Sequence, residues 1–118
     1  MDQEYAQLPS TAAPELPIIA LHRELTEKSR SIMARKNHDY ANGGGDPFTN
    51  FRGSSNLGID PILGIMLRMQ DKMQRIRTFV EKGTLKVVGE SVEDAVLDLI
   101  NYSVLMAGMI KEKNDTTN

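Results

Sequence analysis

Glu90-Ser91-Val92-Glu93-Asp94-Ala95-Val96-Leu97-Asp98-Leu99-Ile100-Asn101-Tyr102 is the stretch that decides the reading of this chain. Glu90, Asp94, Asp98 and Asn101 follow one another at spacings of four, four and three, which puts their side chains on one helical face. Val92, Ala95, Val96, Leu99 and Ile100 cover much of the remainder. A surface helix pairs one polar face with one apolar stripe. Here the apolar arc is wider than that, so part of the acidic stripe is drawn into an interior or a cleft. Carboxylates in such a place need cations, metal ions or hydrogen-bond donors.

The partners are offered by Pro61 to Val80, where Arg68, Asp71, Lys72 and Arg75 fall at i, i+3, i+4 and i+7. Ile62, Leu63, Ile65, Met66, Met69, Met73, Ile76, Phe79 and Val80 fill most of the other faces. If the two polar stripes meet, cations and carboxylates share one site. Two readings stand at this point. One is a salt-bridge network between helices that fixes register, a known mimic of functional sites. The other is a site for an anionic ligand, with or without a divalent metal.

The rest of the chain sets these helices in order. Residues 1–16, with Pro9 and Pro14, read as an irregular arm. Pro17 to about Lys36 is helical, with Ile18, Ile19, Leu21, Leu25, Ile32 and Met33 near helical spacing and Pro17 suited to a first turn. Asn37 to Asp60 reads as a long glycine-rich loop containing Gly43-Gly44-Gly45. A loop of that length in a compact domain is functional or disordered, and Phe48 and Phe51 argue for docking. Asp60 suits an N-cap, Pro61 a first helical position and Gly83 a stop. Thr84 to Gly89 reads as an extended connector. A third long helix begins at Glu90 or Ser91 and runs to about Lys113, and residues 114–118 read as a disordered tail. The fold class is therefore all-α: three long helices in one domain, 17–113, forming a bundle completed by oligomerisation.

Composition removes several classes of function. The 118 residues favour one domain. A formal net charge of −2 gives no general attraction to nucleic acid. The absence of cysteine excludes disulfides, thiolate-bound zinc and a thiol nucleophile. No apolar run is long enough to span a bilayer, and Met1-Asp2-Gln3-Glu4-Tyr5 lacks the order of a secretion signal. A cytoplasmic location is the expectation. Seven methionines without a tryptophan describe an adaptable core.

Four segments taken in order carry a resemblance: Lys36-Asn37-His38-Asp39-Tyr40, Asp46-Pro47-Phe48-Thr49-Asn50-Phe51, Arg68-Met69-Gln70-Asp71-Lys72-Met73-Gln74-Arg75, and Glu90-Ser91 through Asp94, Asp98, Asn101 and Tyr102. Over roughly residues 20–112 the chain resembles the nucleotide-modification-associated helical family, often phage-encoded. That family is in turn similar to all-α nucleoside triphosphate pyrophosphatases of the MazG and dimeric dUTPase type. The resemblance implies an oligomeric helical bundle with carboxylates that hold magnesium beside a triphosphate, working in the host cytoplasm where the gene is a phage's. Glu24 and Glu27 match the first Glu-x-x-Glu element, though a surface pair reads the same way. The later element departs, because Glu90 and Asp94 are four apart rather than three.

On that basis Glu90, Asp94 and Asp98 are the candidate catalytic and magnesium-binding residues, since magnesium takes a few carboxylates together with phosphate oxygens and waters. A metal there would align water and stabilise the leaving pyrophosphate. Arg68, Lys72 and Arg75 are candidate phosphate contacts, with Asp71, Asn101 and Tyr102 completing their surroundings. His38 suits a phosphate donor, a general acid or a helix-end dipole partner, and Asp39 an orienting carboxylate. Tyr40, Phe48 and Phe51 suit base stacking or loop anchoring. Asn50 suits base-edge reading or a turn cap. No Walker loop follows the glycine run.

Three functions compete on these residues. A magnesium-dependent pyrophosphohydrolase would process a nucleoside triphosphate. A non-catalytic binder would sequester a nucleotide or nucleotide-derived ligand, as an anti-defence protein of a phage does. A structural helical bundle would contact only protein. Each is expected as a homo-oligomer without a membrane partner.

Overall fold

A computed structural model describes residues 14–41, 57–83 and 91–117. Within them the chain forms three helices, α1 (Pro17–Ala41), α2 (Pro61–Lys82) and α3 (Val92–Thr117), and the described residues contain no strand. The all-α expectation is met. Residues 1–13 of the 1–16 arm, the glycine run and the connector Thr84 to Gly89 lie outside the described residues.

The start and stop chemistry follows the sequence closely. Leu16 O accepts from the Ile19 and Ala20 amides as α1 begins at Pro17. Asp60 caps α2, its Oδ1 accepting from the Ile62 amide at 2.8 Å, and Pro61 takes the first position, where no amide hydrogen is required. Gly83 ends α2 in the left-handed region, φ 75°, and its amide donates to Phe79 O at 2.7 Å. At α3, Ser91 Oγ accepts from the Asp94 amide at 3.1 Å while Asp94 Oδ2 accepts from the Ser91 amide at 2.9 Å. This reciprocal pair is a capping box. Two helices run further than their apolar patterns: α1 continues past Lys36 to Ala41 and α3 past Lys113 to Thr117. Neither extension contains proline or glycine, so the helix meets no breaker there.

Helix α3 is the centre of the array. It packs against α2 and against α1, whereas α1 and α2 do not contact each other among the described residues. Three contacts set the α2–α3 register: Lys113 Nζ lies 3.3 Å from Asp60 Oδ2, Met109 joins Ile65 in the core, and Lys72 Nζ lies 2.9 Å from Asp98 Oδ2. Rising numbers on α2 meet falling numbers on α3, so the two helices are antiparallel. Ile62, Ile65, Met69 and Lys72 repeat at three, four and three on the inner face of α2; Asp98, Tyr102, Leu105 and Met109 repeat at four, three and four on α3. The Lys72–Asp98 pair thus sits on the same inner faces as the hydrocarbon of Ile62, Ile65, Met69, Leu105 and Met109.

The core around that seam is small. Ile65 is fully buried, Ala95, Leu97 and Met109 nearly so, and Ser29 on α1 is the buried polar residue of the described set. Ser29 Oγ donates to Thr26 O at 3.0 Å, so its hydroxyl is satisfied within its own helix. The tie from α1 to α3 includes Lys28 Nζ to Glu93 Oε1 at 3.3 Å. Glu93, and then Glu24, hold the Lys28 ammonium above its ordinary pKa. Glu24 is spent in this way on the α1 surface, 3.6 Å from Lys28.

Candidate functional site

The seam ion pair is the inner edge of an open groove. Leu67, Arg68, Asp71 and Lys72 from α2 and Tyr102 from α3 line it, with a volume near 360 Å³. The sequence explains why these five converge. Leu67 and Asp71 are four apart, Arg68 is three from Asp71 and four from Lys72, so all four α2 residues share one flank. Tyr102 lies one turn beyond Asp98 on α3, so it reaches the groove beside the residue that anchors Lys72. Tyr102 also packs against the Ile65–Met109 core, which gives the groove one wall anchored in the interior.

The charged groups are already organised. Lys72 and Asp98 have side chains only 13% and 23% exposed, which separates this pair from the surface pairs elsewhere. On the outer side Arg75 Nε lies 3.4 Å from Asp71 Oδ2, an i,i+4 pair with Asp71 largely in solvent. Arg68 is exposed at the groove mouth. The result is a basic rim with an apolar wall of Leu67 and Tyr102.

The two acidic-stripe residues described here have protein partners. Asp94 serves the capping box through its side chain, and Asp98 accepts from Lys72. Asn101 is half-buried on the same helix. Among the described residues no group of three His, Cys, Asp or Glu side chains is arranged to hold a metal ion. Glu90 lies outside the described residues, as do Phe48, Asn50 and Phe51. His38, Asp39 and Tyr40 lie on α1, but their side chains also fall outside the described set. The structure thus brings together Arg68, Asp71, Lys72, Arg75, Asp98 and Tyr102 from the sequence-derived set.

Two features escaped the sequence reading although their signals were present. Leu67 lines the groove and was foreseeable from its four-residue spacing to Asp71. The Ser91-x-x-Asp94 capping box was foreseeable as a serine followed three residues later by a carboxylate, directly before an apolar run.

A family model described as nucleotide modification associated domain 1 matches residues 36–111, a span that holds every groove residue. No curated protein and no solved structure matches the chain.

Proposed function

The chain belongs to the family of nucleotide modification associated domain 1, and from that premise we propose that the α2–α3 groove captures a nucleotide or nucleotide-derived phosphate ligand. The observation that carries this reading is the pairing of a basic rim, Arg68 with Lys72 and Arg75 behind it, with the Leu67–Tyr102 wall. A phosphate is met by guanidinium donors in bidentate geometry. The apolar, planar part of a nucleotide is met by an aromatic face. Capture is favoured over turnover because Asp94 and Asp98, two of the three candidate catalytic carboxylates, serve the capping box and Lys72.

A thermal-shift screen of the purified protein against nucleotides, with and without magnesium, tests the proposal. A ligand that binds the native state at a hundred times its Kd adds about 2.7 kcal/mol of stability. The expected result is a raised melting temperature that is lost in Arg68→Ala, with the ligand recovered unchanged by chromatography. A magnesium-dependent loss of the ligand would instead support pyrophosphohydrolysis. No shift across the panel would favour the structural bundle.

The proposal includes a homo-oligomer. Helices α1 and α2 do not touch among the described residues, so the three helices form an open layer around α3 rather than a closed bundle. Leu63, Met66, Met73 and Val80 are 50–75% exposed on the flank of α2 away from Arg68 and Arg75. Met66, Met73 and Val80 repeat at seven residues, the period at which one helix seats against another. A second copy offers the same stripe about a two-fold axis. Light scattering should give a multimer for the natural protein and a monomer for Met66→Lys/Met73→Lys.

A further inference from the structure

Among the described residues, charge in and behind the groove is nearly balanced. Arg68, Lys72 and Arg75 bring three positive charges, and Asp71 and Asp98 bring two negative ones, so this described set carries one net positive charge. Lys72 donates to a carboxylate 2.9 Å away, in a pair that is mostly buried. A ligand that drew Lys72 away from Asp98 would strand that carboxylate beside the incoming anion. Asp71 stands on the groove wall itself and faces the ligand volume. The cavity, near 360 Å³, is open; Leu67 shares the α2 flank with Asp71, and the phenol of Tyr102 comes from α3. Such a site offers little to a chain of phosphates.

We infer that the groove selects a nucleotide carrying a single, singly charged phosphate, a phosphodiester above all, and disfavours a nucleoside triphosphate. This inference rests on the proposed function and narrows it to a ligand class. Arg68 at the mouth takes the phosphate oxygens, Asp71 repels further phosphates, and Leu67 with Tyr102 receives the uncharged part. Asp71 is then a specificity-determining residue, although it sits in a predominantly basic helix face.

The test is a titration series at fixed ionic strength with a dinucleoside monophosphate, adenosine 5′-monophosphate and ATP, each in EDTA, against the natural protein and Asp71→Asn. Asp71 is exposed, so the variant is expected to fold as the natural protein does. In the natural protein the dinucleoside monophosphate should bind at least tenfold tighter than ATP. In Asp71→Asn that ratio should fall by about tenfold, as expected when one charge is removed a few ångströms from a polyanion. ATP binding as tightly as the dinucleoside monophosphate, with a ratio unmoved by Asp71→Asn, overturns the inference and leaves the proposed function standing. Silence from all three ligands overturns both.

Discussion

Replacing Asp98 with alanine removes the carboxylate that Lys72 Nζ reaches at 2.9 Å in the α2–α3 seam. An exposed ion pair contributes about 0–1 kcal/mol, whereas breaking a buried one costs about 3–5 kcal/mol. With side chains 13% and 23% exposed, this pair lies toward the buried end. Asp98→Ala should therefore cost about 2–3 kcal/mol, against a typical domain stability of about 5–15 kcal/mol. Lys72→Met keeps the aliphatic stem and removes the ammonium; it should cost less, because Asp98 retains some access to solvent. The double variant Lys72→Met/Asp98→Leu should recover most of the loss, since it extends the hydrocarbon of the Ile65–Met109 core. Urea titrations of these proteins together with the single variant Asp98→Leu, at one protein concentration because an oligomer couples stability to concentration, close the double-mutant cycle. A cost below 0.5 kcal/mol for Asp98→Ala, with strictly additive singles, would refute the claim that these stripes meet in the seam.

Ile65→Ala should cost about 2–5 kcal/mol in the same denaturation assay, because Ile65 is fully buried at the centre of the α2–α3 core. Gly83→Ala should destabilise by about 1 kcal/mol without any clash: a Cβ there meets nothing within 4 Å, and only the left-handed backbone at φ 75° resists it. The Asp60 carboxyl is held below its ordinary pKa of 3.8, first by the Ile62 amide and then by Lys113. A depressed carboxylate stabilises the fold above its unfolded pKa, and that contribution fades as pH falls through the folded value. The melting temperature of the natural protein should accordingly drop more steeply below about pH 4 than that of Asp60→Asn, which keeps a capping oxygen but does not titrate.

Much of the fold was legible because it rests on local chemistry. Asp60-Pro61 and Gly83 bracket α2 through an N-cap, a first-turn proline and a left-handed stop, each encoded in the residues themselves. The meeting of the two polar stripes was legible from spacing: Lys72 and Asp98 occupy seam positions on their own helices. Their bond also fits the plainer register-setting alternative, so the acidic stripe points to packing as much as to chemistry. Less could be read at helix ends. Asn37 through Ala41 look loop-like beside the glycine run, yet nothing before Gly43 breaks the helix, and α1 continues to Ala41. The local use of Asp94 at the helix start was passed over for a related reason. A carboxylate three residues after a serine serves the helix start, and that local use competes with any role in a distant site. The groove itself needed tertiary structure, because Tyr102 reaches Leu67 and Arg68 only through the antiparallel docking of α3 on α2.

Calorimetric titration of a dinucleoside monophosphate into the natural protein and into Arg68→Ala measures the central claim most directly. Arg68 is exposed at the groove mouth, so its replacement should leave the melting temperature within about 2 °C. The account predicts saturable binding to the natural protein and at least a tenfold loss of affinity in the variant. Equal affinity in both proteins, or no heat in either, would contradict it.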